Sequence, residues 1–250
     1  MRNRGVAPDG GGVPGSGWSG VCRAGGVAAF LLTAYSLGTM VQLLVLGGTP
    51  ATAAEAFHLL EDNRIVGLLR LDLPTVFAMP LYYLVFLGLF AALRCSEAAC
   101  AALSTVLAFA GVTLVLATPT ALSMVPLSDR YAAAATEAAR SRLLAAGEAL
   151  LAADIWHGTG AMMGAILLQG GAVLISALML RSDVFSRAIA YVGLLTHGFD
   201  LAHILFGLLL PAAGVLLMAV AGPLYLVWFP LIGRRLLQLA REPGGRSSLG

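Results

Sequence analysis

LPTVFAMPLYYLVFLGLFAAL, residues 73–93, carries no acidic or basic side chain. An α-helix needs about 20 apolar residues to cross the ~30 Å hydrocarbon layer of a bilayer, and this run has that length. Working outward, comparable runs lie at residues 27–46, 98–124, 158–180, 187–210 and 212–233. Of the 250 residues, 59% are hydrophobic and 11% charged, with a mean hydropathy of +0.88. Soluble domains carry about 25% charged residues. The expected fold is therefore all-α: an integral membrane bundle of six transmembrane helices within residues 26–236.

The stretches between the runs complete this picture. Residues 1–25 are Gly-rich and polar and read as a disordered tail, and 237–250 read as a polar cytoplasmic tail. The first run exceeds the 7–15 apolar residues of a signal peptide core, so helix 1 is expected to stay uncleaved despite Ala51-Thr52-Ala53 behind it. Residues 47–70 and 126–157 form two longer connections facing one side. Thr52 and Glu55 make a capping box that starts a short surface helix. The Ala-rich stretch 128–153, with Glu137, Arg140, Arg142 and Glu148, suits an amphipathic helix or a hairpin of two. A tight turn is expected at 94–97, with Ser96 as N-cap. Pro74, Pro80, Pro119, Pro223 and Pro230 are expected to bend helices whose neighbours re-satisfy the freed carbonyls.

All 15 basic residues are Arg. With a cytoplasmic N-terminus, six crossings place ten of them on inner segments and five (Arg64, Arg70, Arg130, Arg140 and Arg142) on outer ones. The positive-inside rule favours that orientation, with both termini in the cytoplasm. Cys22, Cys95 and Cys100 then sit toward the reducing side as free thiols. A net charge of +2 without a dense basic cluster gives no nucleic-acid face. The expected partner is the lipid bilayer; a homo-oligomer is not indicated.

Several motifs, taken in order, carry a resemblance. They are Ser128-Asp129-Arg130-Tyr131, Arg142 to Leu151, Trp156-His157-Gly158-Thr159-Gly160, Met179-Leu180-Arg181-Ser182, Phe185-Ser186-Arg187-Ala188, Ala190-Tyr191-Val192-Gly193 and Arg234 to Leu239. Across residues 27–241 the chain resembles a bacterial family of multi-pass membrane proteins known as a domain of unknown function. The resemblance implies a six-helix membrane fold in the bacterial cytoplasmic membrane, and no reaction, ligand or site residue.

Ionisable groups inside a span are costly and usually face the protein interior or water. His197, Asp200 and His203, spaced i, i+3, i+6, share one ~120° arc of helix 5. Asp154 and His157 begin helix 4, and helix 2, expected over 71–93, begins near Arg70 and Asp72. These seven are the candidate polar site, expected at mid-depth or at the outer edge, where they could converge on one vestibule. His157, Asp200 and His203, with His197 or Asp154 in reserve, are residue types that zinc accepts. Their spacing matches no HExxH-like signature, so no cofactor is expected. Three roles compete for these groups. One is a structural polar lock in a non-enzymatic membrane protein. The second is a proton or ion path in a small carrier, and the third an intramembrane metal-dependent hydrolase. Gln42 and Gln169, mid-helix amides, are expected to bridge helices.

Overall fold

The computed structural model describes residues 16–118, 121–155, 157–207 and 209–242. The termini at 1–15 and 243–250, with the tails expected there, lie outside the described residues, as do Pro119 with its expected bend and Trp156. Among the described residues the secondary structure is helical, with no strand. After a 3₁₀ turn at Ser16–Trp18 come α1 (Ser19–Leu46), α2 (Ala53–Asp62), α3 (Arg64–Arg70), α4 (Leu73–Leu116), α5 (Ala121–Ala132), α6 (Glu137–Ala152), α7 (Thr159–Met179), α8 (Arg187–Gly207) and α9 (Pro211–Arg241). Five of these, α1, α4, α7, α8 and α9, are long and apolar enough to cross a membrane. The chain has the make-up of a multi-pass membrane protein.

Where six apolar helices were expected there are five, because the second and third runs are joined in α4. That helix has 44 residues. Straight, it would extend about 66 Å, more than twice the hydrocarbon thickness. It breaks at Glu97, whose backbone (φ −150°, ψ 72°) is not helical. The expected turn at 94–97 is thus compressed into one residue, and the two limbs fold back on each other. Tyr83 in the first limb hydrogen-bonds Thr113 in the second (2.7 Å) and packs edge-on against Phe109.

Each limb has its own neighbours. α1 packs on α4 and α9, α4 on α7, α7 on α8, and α8 on α9, which closes a ring. Glycines set the closest approaches. A Cβ on Gly111 would collide with the Gly164 carbonyl and the Leu168 amide nitrogen, so α4 and α7 meet backbone to backbone. Such small-residue contacts are how membrane helices gain van der Waals packing when lipid offers no hydrophobic drive. Gly164 makes the contact, whereas Gly160 only approaches Thr118.

Several boundaries differ from expectation. α1 begins at Ser19, inside the expected tail, because Trp18 packs on Phe90 and beneath Arg94 while Cys22 is fully buried. Gly25 lies against the backbone of Leu84 and Gly88. The glycines that make this segment read as disordered are what let it fit. The second limb of α4 stops at Leu116, short of residue 124, since Met124 turns into a separate core. α8 ends at Gly207, and α9 runs on to Arg241 because Leu236 and Leu239 are buried.

The two connections form a cap. α2, α5 and α6 pack together around Phe57, Leu60 and Met124, so the second connection is the hairpin of two helices. Thr52 accepts from the Glu55 amide as expected, but Glu55 reaches the Ala51 N–H rather than that of Thr52. Asn63 caps α3, Glu148 of α6 accepts from the Ala53 amide, and Arg64 pairs with Asp129. The opposite end of the bundle gathers the start of α1, the Glu97 break, the α7–α8 turn and the end of α9. There Gly26 touches Gly233, and Arg235 donates to the Val184 carbonyl (2.7 Å). Arg235 is therefore held by protein, also reaching Glu242, while Arg234 stays exposed.

Candidate functional site

His197, Asp200 and His203 lie on one face of α8 turned toward α7 and α9, but they do not act as one group. His197 and Asp200 enter a four-residue network. Gln169 of α7 donates from Nε2 to Asp200 Oδ2 (2.6 Å) and to the Tyr225 hydroxyl of α9 (2.9 Å). Tyr225 donates its own proton to Asp200 Oδ2 (2.6 Å). Gln169 Oε1, the remaining acceptor, faces His197 Nδ1 at 2.7 Å. This fixes the tautomer. With both amide protons of Gln169 committed, Oε1 requires a donor, so His197 carries its proton on Nδ1. Tyr225 also lies 3.5 Å from His197 Nδ1.

The network occupies the middle of all three helices. Gln169 is the eleventh of 21 residues in α7, and His197 the eleventh of 21 in α8. At 1.5 Å per residue each lies about 15 Å from its helix start, half the thickness of a hydrocarbon layer. His197 is 1% exposed and Gln169 6%, whereas Asp200 is half-buried. Aromatic rings wall the histidine. Trp228 meets it edge-on at 4.3 Å and Tyr225 at 5.3 Å between ring centroids. His197 Nε2, Trp228 Nε1 and Ser176 Oγ are buried without a hydrogen-bond partner among the described residues. A Cβ on Gly193 would strike both Ser176 Oγ and Trp228 Nε1, so this glycine admits two polar atoms beside the network.

The other expected members go elsewhere. His203 Nδ1 lies 2.8 Å from the Gly214 carbonyl, joining α8 to the start of α9, and interacts electrostatically with Asp200. His157 pairs with Asp154 (2.9 Å) in the α6–α7 connection and is 68% exposed. Arg70 pairs with Glu55 (2.8 Å) and donates to the Gly48 carbonyl, tying the cap to the end of α1. The Ala51 N–H, seconded by Arg70, holds the Glu55 carboxyl below the ordinary carboxylate range. Asp72 is buried at the head of α4, in a left-handed backbone conformation (φ 63°), and accepts from Thr75. The seven candidates thus divide into a mid-bundle pair, a histidine joining α8 to the start of α9, an exposed pair in the α6–α7 connection, a cap link and a buried carboxylate at the cap's base, in place of the single expected vestibule. Among the described residues no three His, Cys, Asp or Glu side chains gather in a way that could hold a metal ion.

Gln169 and Tyr225 complete the network. The sequence predicts Gln169 as a helix bridge and gives no site expectation for Tyr225. The available signal was a lone amide at the centre of an apolar run. Gln42, the other such amide, donates to the Leu69 carbonyl and bridges α1 to α3. No family model, curated protein or solved structure matches this chain.

Proposed function

We propose that this protein crosses the bacterial cytoplasmic membrane six times, both limbs of α4 spanning, with its termini and the Glu97 break on the cytoplasmic side and the cap outside. We propose further that its Gln169–His197–Asp200–Tyr225 cluster binds and releases a proton at mid-bilayer, as the coupling centre of a small proton-linked carrier.

One observation supports the proton reading above the rest. A carboxylate and an imidazole are joined through one amide and one phenol at the centre of three apolar helices, with one imidazole nitrogen left over. A polar lock serving packing alone gains most when every buried polar atom is paired; an unpaired one costs about 1–3 kcal/mol. Here Nε2 of His197 is kept buried and without a partner among the described residues. A histidine whose ordinary pKa lies near neutrality is suited to taking and giving protons. The second reading, a structural lock, draws support from the short hydrogen bonds on Asp200 Oδ2.

The two readings separate in an infrared titration of the protein reconstituted in lipid. A carboxylic-acid C=O band that grows on acidification and is absent in Asp200→Asn is expected. Spectra of wild type and D200N that titrate identically would leave only the lock.

A further inference from the structure

Asp72 sits at the head of α4, and Thr75 and Tyr82, seven residues apart, share one face of that helix, so the three run from the base of the cap to the middle of the first limb. Thr75 donates to Asp72, and its oxygen lies 2.5 Å from the hydroxyl of Tyr35 on α1. Asp72 and Thr75 are 7% and 5% exposed, Tyr82 is 7%, and Tyr35 is half-buried. Tyr82 lies about 14 Å along α4 from its start, the depth of the mid-bundle network. It packs edge-on against Phe229 (5.8 Å), which stacks on Tyr225 (5.4 Å). Tyr82 lies within electrostatic range of Tyr35 and of Asp200 and hydrogen-bonds neither among the described residues. At the upper end Thr75 also lines a small, otherwise apolar cavity with Met79, Val115 and Ile155. Ile155 belongs to the α6–α7 connection, so this cavity lies beneath the cap.

We propose that Asp72, Thr75, Tyr35 and Tyr82 form the entry limb of the mid-bundle proton site, connecting Asp200 to water on the capped side. The inference rests on the proton reading above. The step is a relay. A proton from water joins the Asp72 carboxylate. Each hydroxyl then receives a proton from behind and gives its own forward: Thr75 to Tyr35, Tyr35 through a transient water to Tyr82, and Tyr82 through a second transient water to Asp200. One proton leaves the water on the capped side, Asp200 becomes neutral, the hydroxyls end unchanged, and no electrons move. The groups facing Asp200 are Gln169 from α7, Tyr225 from α9, Tyr82 from α4, and His197 and His203 from its own helix.

The left-handed backbone at Asp72 makes one variant informative. Asn, like Asp, tolerates that conformation better than most residues, so Asp72→Asn removes the titrating group with little change to the chain path. Tyr82→Phe removes one hydroxyl from a packed ring. The experiment is a pH jump applied to reconstituted protein, following the rise of the Asp200 carboxylic-acid band in wild type, D72N, Y82F and D200N. D72N and Y82F are expected to slow the rise by on the order of a hundredfold while its final amplitude stays that of wild type. If either variant does not fold, the other carries the test. Wild-type rates in the folded variants would overturn the entry limb and leave the proton site standing. A wild-type protein with no band that D200N removes would overturn the proton reading itself.

Discussion

Gln169 is the residue through which the buried network is joined. Its amide offers two donors and one acceptor in a fixed plane, and all three are used, on Asp200, Tyr225 and His197. A hydrocarbon side chain of similar length would leave a buried imidazole N–H and part of a carboxylate unsatisfied at once. Gln169→Leu is therefore expected to lower stability by about 1–3 kcal/mol. Tyr225→Phe removes a donor from Asp200 and an acceptor from Gln169 but leaves Gln169 on both Asp200 and His197, and is expected to cost less, about 0.6 kcal/mol per bond lost. Unfolding of the purified protein in mixed micelles measures both; equal costs, or a larger one for Y225F, would mean that the amide is not the junction. At this scale the sequence shows that a carboxylate and histidines share one arc of α8. It does not show that His203 leaves that set, because its partner is a backbone carbonyl, Gly214 O, and a carbonyl carries no mark in the sequence.

Among the elements, the cap holds itself through its helix ends. α2 begins on Thr52, α3 on Asn63 and α6 on Thr136, each side chain accepting from backbone N–H groups at the start of its helix. Glu55 adds a charge to this scheme, accepting from Ala51 and pairing with Arg70. Its carboxyl sits below the ordinary range in the folded protein, first because of the Ala51 N–H. A group depressed on folding stabilises the protein above its unfolded pKa, near 4.3 for Glu, and the benefit is lost as pH falls through the lower folded value. Amide exchange in α2 and α3, corrected for intrinsic rates, is expected to speed up as pH drops below about 4 in wild type but to stay level in Glu55→Gln. Parallel profiles would assign the acid sensitivity to another group. The Thr52 cap is legible because capping is local. The Glu97 break is less so. Sequence reading places a four-residue turn at 94–97, yet the structure needs one residue, since fold-back packing of Tyr83 on Phe109 and Thr113 holds the limbs together.

The whole molecule is a ring of apolar helices with unlike ends. One end collects Arg23, Arg94, Arg181, Arg187, Arg234, Arg235 and Arg241; the other carries the cap and Arg64, Arg70, Arg130, Arg140 and Arg142. With the proposed orientation, Cys95 and Cys100, both exposed beside the Glu97 break, are expected to react with a membrane-impermeant maleimide only from the cytoplasmic face. A cysteine placed at His157 is expected to react only from the opposite face. Labelling of all three from one face would remove a crossing. Sequence alone determined the all-helical class, the apolar segments and their order, because the length and composition of a segment decide whether it can replace water with lipid. It also determined that α8 carries ionisable groups where they are costly. Only the tertiary structure decided that the Gly-rich start of α1 is helical, that α4 doubles back at one residue, and that Asp200 and His197 meet Gln169 and Tyr225 while Asp154, His157, Arg70 and Asp72 do not join them. Close approach of backbones and pairing of side chains on different helices depend on how the helices pack, and helical periodicity records which way a residue faces but not what it meets.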